Sequence, residues 1–95
     1  MDILIDDFLN YLRYERNYSD YTVKAYSKDL NQFEEYVKSC QEGMFVPDII
    51  DADIVRDWIV CLLDEKISPV SVNRKLSSLK SFFKFLMKQK IVSVN

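Results

Sequence analysis

The chain has 95 residues, a formal net charge of −2 and no histidine. This length suits one small domain, and the hydrophobic content of 48% is enough for a single core without disulfides or a metal. One glycine and two prolines leave little room for a turn-rich β fold, and they exclude a glycine-rich phosphate loop.

Charge is segregated along the chain. Residues 1–65 contain six Lys or Arg against fifteen Asp or Glu, whereas residues 66–95 contain seven Lys or Arg and no acid. The two parts therefore have net charges of −9 and +7. Because the sign of charge selects partners, the basic, serine-rich segment 68–81 can face a polyanion while the acidic remainder faces water.

The sequence also indicates a compartment. No apolar run approaches the ~20 residues that span a bilayer, and the acidic start of the chain argues against a signal or transit peptide. Cys40 and Cys61 lack the spacing of metal ligands, so we interpret both as buried or half-buried thiols rather than a disulfide or a metal pair. We therefore predict a cytoplasmic protein in a reducing environment that does not contact a membrane.

Helical periodicity predicts a first helix over residues 2–15 and a second from Ser19 to residues 38–40. Ser19 is the expected N-cap, with Asp20 at the positive end of the helix dipole. The buried stripe of the first helix is Leu4, Ile5, Phe8, Leu9 and Leu12. The buried stripe of the second is Val23, Tyr26, Leu30, Phe33 and Val37, and its far side carries Lys24, Lys28, Asn31 and Glu35.

Two further helices follow Pro47, which disfavours helix around itself. Asp51 is the expected N-cap of the third, and Ser68 caps the fourth, with Pro69 at the first position, where its missing N–H costs nothing. The third helix buries Val55, Trp58, Ile59 and Leu62. The fourth is predicted to bury Val72, Leu76, Leu79, Phe83 and Leu86 and to expose Arg74, Ser78, Ser81, Phe85 and Lys88. The prediction is an all-α four-helix bundle.

Three motifs occur in a fixed order along these helices. They are Phe8-Leu9-Asn10-Tyr11-Leu12, then Arg16-Asn17-Tyr18-Ser19 followed by residues 22–33 (TVKAYSKDLNQF), then residues 71–86 (SVNRKLSSLKSFFKFL). Each motif alone is common in helices. Their order and spacing resemble the N-terminal SAM-like core-binding domain of tyrosine recombinases of the Xer and phage-integrase type, over essentially the whole chain.

The resemblance implies a DNA-binding domain without catalytic activity of its own. In this family the four-helix domain holds one face of the duplex, and a larger C-terminal domain holds the other. That second domain supplies Arg, Lys and His residues and the Tyr nucleophile, with no cofactor or metal. This chain has no His and stops at Asn95, where the family's interdomain linker would begin. We therefore expect residues 1–95 to be one core-binding domain of a longer site-specific recombinase. The alternative hypothesis is that the chain is a naturally short protein derived from a recombinase.

The expected partners are double-stranded DNA and, in the full-length protein, other recombinase protomers in a synaptic tetramer, with no small-molecule substrate. On helix four, Arg74 suits phosphate or the guanine edge, and as an exposed helical residue it is expected to contribute little to stability. Lys75, Lys80, Lys84 and Lys88 are expected phosphate contacts. Short polar residues that permit close approach to a groove are Ser71, Asn73, Ser77, Ser78 and Ser81.

On helix two, the predicted DNA contacts are Thr22, Lys24, Ser27 and Lys28, near a helix N-terminus that attracts phosphate. Each polar residue on either helix has the alternative role of ordinary solvated surface. Phe33, Trp58, Phe82 and Phe83 are expected in the core. Phe85 falls on the basic face and could pack against another domain, a neighbouring protomer or a thymine methyl group.

A second function class is left open. The basic stripe could instead make the chain a helical protein-interaction module that binds an acidic partner or self-associates. The acidic first helix could touch a neighbouring subunit or be solvated. The acidic pairs at 34–35 and 64–65 have no histidine or organised partner, so we assign them no catalysis.

Overall fold

The computed structural model describes residues 2–89, and every regular element within them is helical. The four helices are α1 (Ile3–Tyr14), α2 (Asp20–Cys40), α3 (Ala52–Asp64) and α4 (Pro69–Lys88), and a single 3-10 turn at Pro47–Ile49 precedes α3. The predicted all-α four-helix architecture is confirmed. None of these helices within residues 2–89 combines the length and apolar character needed to cross a membrane.

Each helix begins at a side-chain cap. The caps predicted at Ser19, Asp51 and Ser68 are confirmed, since each side chain accepts a backbone N–H three residues further on. Asp2, predicted to lie inside the first helix, is instead its cap: its Oδ1 accepts the Leu4 N–H at 2.8 Å. Capping satisfies backbone donors that have no partner inside the helix, so these polar residues define where each helix starts.

The core is built around aromatic side chains. Phe8, Phe33 and Phe82 are fully buried. Phe8 of α1 packs edge-on against Phe82 of α4, with ring centroids 5.6 Å apart, and Phe33 of α2 meets Trp58 of α3 at 5.0 Å. The first contact joins α1 to α4 and the second joins α2 to α3, and the burial of Phe33, Trp58 and Phe82 confirms their predicted core positions.

The buried face of α4 differs from the prediction. It comprises Val72, Lys75, Ser78, Leu79, Phe82, Phe85 and Leu86. Val72, Leu79 and Leu86 of the predicted stripe remain buried, but the face extends to one side of it, so its centre is rotated by less than one residue step of ~100°. Leu76 and Phe83 are consequently only half-buried.

The displacement follows from packing against α1. Phe85, predicted on the basic face, is 8% exposed, and its ring lies 5.4 Å from that of Phe8 and 5.1 Å from that of Tyr11. A face that meets both α1 and α2 is wider than the narrow apolar stripe that the sequence suggested. The apolar pattern alone did not show which side of that stripe α1 would cover.

Two further expectations concern polar side chains. Glu34, left without a role, is buried and accepts from Lys38 Nζ at 3.0 Å and from the Asp2 backbone N–H at 3.4 Å.

Cys40 and Cys61 are both exposed, so the buried-thiol prediction is wrong. Cys40 ends α2, and the buried side of α3 is occupied by Trp58 and Leu62.

The end of α3 places a non-glycine residue in the left-handed region. Lys66 has φ 64°. Its N–H donates to the Leu63 carbonyl, and the Ile67 N–H donates to the Leu62 carbonyl, both at 3.0 Å. This is the Schellman arrangement, in which glycine usually occupies the position of Lys66.

Replacing Lys66 with glycine is expected to raise the free energy of unfolding by about 0.5–1 kcal/mol, because glycine has no Cβ to clash in this conformation. Lys28→Gly is the matched control: it lies inside α2, where glycine should lower that free energy by about 1 kcal/mol. Urea denaturation followed by circular dichroism measures both. A Lys66→Gly variant less stable than the parent chain would contradict the claim that the left-handed backbone at Lys66 is strained.

Candidate nucleic-acid interface

A buried ionic cluster joins α2 to α4. Its centre is the Asp29 carboxylate, whose exposed fraction is 1%. Oδ1 accepts from Arg74 Nη2 at 2.9 Å and from Lys75 Nζ at 3.0 Å. Oδ2 accepts from Arg74 Nε at 3.2 Å and from the Ser78 hydroxyl at 3.1 Å. Each oxygen thus has two donors within reach, with the single Ser78 proton shared between Asp29 and the Arg74 carbonyl at 3.2 Å.

The two cations of the cluster differ in exposure. The Lys75 side chain is 6% exposed, and its ammonium also donates to the side-chain oxygen of Gln32. The Arg74 side chain is 53% exposed. One carboxylate with two cations leaves a net charge of +1, and Arg74 is the member of the cluster that presents it to solvent.

The orientation of Arg74 is set by its contact with Asp29. Its Nε and one Nη2 proton face the carboxylate, which is a side-on bidentate geometry. A guanidinium has five N–H donors in a fixed fork. Of the three that Asp29 does not engage, one on Nη1 and one on Nη2 form the adjacent free edge, and the second Nη1 proton points back towards Cδ. This edge can bind a phosphate, or the O6 and N7 of guanine.

Burial of carboxylates makes the exposed surface of α2 less acidic. The helix contains four acidic residues, and Asp29 and Glu34 are both buried and paired with cations. Asp20 and Glu35 are exposed, and so are Lys24 and Lys28. The solvent-facing surface of α2 is therefore less acidic than its composition suggests, particularly between Lys24 and Lys28.

The predicted DNA contacts fall into three groups by exposure. Those exposed to solvent are Lys24, Lys28, Asn73, Arg74, Ser77, Lys80 and Lys84. Those half-buried are Thr22, Ser27, Ser71 and Ser81, and those buried are Lys75 and Ser78. Lys88, also predicted as a phosphate contact, is exposed. On α4, Asn73, Ser77, Lys80 and Lys84 recur at spacings of four, three and four residues, so they form one stripe, and Arg74 lies beside it.

The placement of Lys75 and Ser78 on an exposed face was wrong. Both side chains bind Asp29 and lie on the interior side of Arg74 rather than next to it on the surface. The physical reason is the rotation of α4 that the Phe82 and Phe85 contacts impose. Their ammonium and hydroxyl groups are committed to the carboxylate and are not presented to a ligand.

Two of the half-buried hydroxyls belong to helix caps. Thr22 Oγ1 accepts from the Ser19 hydroxyl at 3.0 Å, and Ser71 Oγ accepts from the Ser68 hydroxyl at 3.1 Å. α2 and α4 thus begin in the same way, with a serine cap bonded to a hydroxyl three residues later. Their first role is to fix the helix starts.

Asp29 and Gln32 were missed by the sequence reasoning. Asp29 lies three residues after Tyr26 and four before Phe33, so helical spacing places it at the edge of the buried stripe. Aspartate is also a poor residue for a helix interior. A carboxylate at such a position needs a cation, and this requirement was the available signal.

A groove of about 920 Å³ lies between the start of α3 and the exposed side of α4. Its walls are lined by Asp48, Ile50, Asp51, Ala52, Val55, Leu76, Leu79, Lys80, Phe83, Lys84 and Met87. Leu76 and Phe83, predicted as core, form part of this wall. Lys80 and Lys84 therefore border an apolar surface as well as the polar stripe of α4.

No group of three or more His, Cys, Asp or Glu side chains among residues 2–89 is arranged to hold a metal ion. The chain was then compared with known proteins. Residues 5–90 match the family described as phage integrase, N-terminal SAM-like domain. The chain belongs to this family. The resemblance proposed from the motifs is therefore confirmed.

Curated relatives of this SAM-like domain are tyrosine recombinases. It is 40% identical to the tyrosine recombinase XerC of Anoxybacillus flavithermus over 93% of this chain and 29% of that protein. Identity is 37% to XerC of Oceanobacillus iheyensis, over 100% of this chain and 30% of the relative, and 32% to XerD of the same organism, over 98% and 31%. The chain thus spans about a third of the length of these relatives. No solved structure is a significant match.

Asp29→Ala is expected to lower the free energy of unfolding by about 3–5 kcal/mol, because Lys75 would remain buried without its counterion. Glu35→Ala, an exposed position on the same helix, is the control and should change it by no more than about 0.5 kcal/mol. Arg74→Ala should cost about 1–2 kcal/mol, more than an exposed arginine would, since it removes two bonds to a charged group. Thermal and urea unfolding measure all three, and equal stability of the Asp29 and Glu35 variants would contradict the burial argument.

Proposed function

We propose that this SAM-like domain is the DNA-binding half of a site-specific tyrosine recombinase, and that the exposed sides of α2 and α4 face the duplex. The observation that supports this best is the Asp29 cluster. It joins the two helices and presents the free edge of Arg74 between them, in a geometry suited to phosphate or guanine. Its relatives are named as tyrosine recombinases, which agrees with a role in recombination.

Electrostatics supports the same surface. Residues 66–89 contain no acid, and two of the four acids of α2 are buried in ion pairs. Lys24 and Lys28 on α2 and Lys80 and Lys84 on α4 are exposed. Phosphate contacts from such residues supply affinity without sequence information, while contacts to base edges give specificity. In this proposal Arg74 is the member with the geometry for either role.

The catalytic part of the proposal concerns the full-length protein. In a tyrosine recombinase the second domain would supply the nucleophile and the residues that stabilise the transition state. This domain's contribution would be affinity and placement of the duplex. The full-length protein is proposed to act with other recombinase protomers in the cytoplasm.

Binding of the 95-residue chain to a 30-base-pair duplex should weaken with salt. If α2 and α4 neutralise three to five phosphates, a plot of log K against log salt should have a slope of about −3 to −4.5. Lys28→Ala should reduce the magnitude of the slope by about one unit. Arg56→Ala, an equal change of charge on α3, is the control and should leave the slope unchanged. Fluorescence anisotropy measures both, and a slope near zero for the parent chain would contradict the proposal.

Arg74 and Lys84 should differ in what they recognise. On a duplex enriched by this chain from a random pool, Arg74→Ala should cost about 1–3 kcal/mol of binding free energy if the free edge reads guanine. The loss should be much smaller on a control duplex with the same base composition in scrambled order. Lys84→Ala should weaken binding to both duplexes equally, as a phosphate contact does. Equal losses on both duplexes for Arg74→Ala would assign it to phosphate as well.

A second candidate, a protein-interaction module, is favoured by the groove beside α4. There Lys80 and Lys84 border an apolar wall that includes Leu76 and Phe83. This reading predicts self-association at low salt and no salt-dependent binding to DNA. Sedimentation of the chain alone, together with the anisotropy titration, separates the two functions.

A further inference from the structure

We infer that Asp29 and Lys75 act as a buried positioning pair for Arg74, so that two residues that cannot touch DNA determine how well the domain binds it. The inference rests on the proposed function, since it concerns the same surface. It assigns to Lys75 a role different from direct phosphate contact.

The first step is geometric. A free arginine side chain on a helix surface samples many rotamers, and ordering it on binding costs conformational entropy. Here the carboxylate of Asp29 holds both Nε and Nη2 of Arg74, at 3.2 and 2.9 Å. Asp29 itself is held by Lys75 and Ser78 and is 1% exposed. The guanidinium is therefore oriented before a ligand arrives.

The second step is electrostatic. A carboxylate bound to Arg74 alone would cancel the charge that attracts a phosphate. Lys75 Nζ lies 3.0 Å from the same Oδ1 that accepts from Arg74 Nη2. With this second cation the cluster has a net charge of +1, so Asp29 can orient Arg74 without neutralising the site. The buried lysine preserves the electrostatic attraction, and the buried aspartate supplies the orientation.

The decisive variant is the double substitution Asp29→Asn with Lys75→Met. It removes one negative and one positive charge, so the net charge is unchanged and no unpaired ion is left in the interior. The charged anchor of Arg74 is lost, together with the bond from Lys75 to Gln32. Affinity for a 30-base-pair duplex should fall roughly tenfold, the scale of one charge-assisted bidentate contact. Thermal unfolding of each variant verifies that it is folded under the titration conditions.

A double-mutant cycle identifies the route of the effect. Arg74→Ala should weaken binding roughly tenfold in the parent chain but less than about twofold in the Asp29→Asn, Lys75→Met background. A purely structural role for the pair would leave the effect of Arg74→Ala equal in both backgrounds, and that result would overturn the inference. Parental affinity in the double variant would also overturn it.

Arg74→Lys provides a test that leaves the buried pair intact. Lysine keeps the charge but has no fork that can bind the carboxylate on one edge and a ligand on the other. It should bind DNA about as weakly as Arg74→Ala, and parental affinity would overturn the inference. If the parent chain itself shows no salt-dependent DNA binding, the proposed function fails and the inference fails with it. If the parent chain shows salt-dependent DNA binding but the effects in the double-mutant cycle are additive, only the inference is overturned and the proposed function stands.

Discussion

One buried carboxylate constrains how α2 and α4 meet. Asp29 is inaccessible to water, and a carboxylate in that environment is stable only when its charge and its lone pairs are satisfied. Arg74, Lys75 and Ser78 provide four bonds to it, all from α4. Burial of apolar side chains, aliphatic and aromatic, supplies the main driving force for the bundle. The polar cluster is directional, so it favours one rotation and one register of α4 on α2.

Buried ion pairs explain how an acidic chain can present the less acidic face that we propose for DNA binding. The sequence pI is about 5.0, yet Asp29 and Glu34 are hidden in ion pairs and do not contribute their full charge to the surface. Lys24 and Lys28 are exposed on the helix that contains these acids. Net charge describes a whole molecule, whereas a polyanion meets only the local field of one face.

The functional surface and the core are coupled through α4. Phe82 and Phe85 turn one side of this helix towards Phe8, and that rotation brings Lys75 and Ser78 under Arg74. It also leaves Leu76 and Phe83 beside the groove rather than in the core. A substitution in the aromatic core could therefore move the exposed stripe, and with it the proposed DNA contacts, without altering any residue on that stripe, because it would shift the orientation of the whole helix.

The sequence by itself determined the features that depend on near neighbours in the chain. Helical periodicity, the caps at Ser19, Asp51 and Ser68, and the ordered motifs of the family were all recognisable, because each rests on residues a few positions apart. The rotation of α4, the burial of Phe85 and the partners of Asp29 were decided by tertiary structure. Arg74 and Lys75 lie 45 and 46 positions from Asp29. The local sequence around each of them was compatible with an exposed side chain. Only when α1 and α2 both pack on α4 does one face become the interior, and only then does a lysine that looks like a phosphate contact become the counterion of a buried acid.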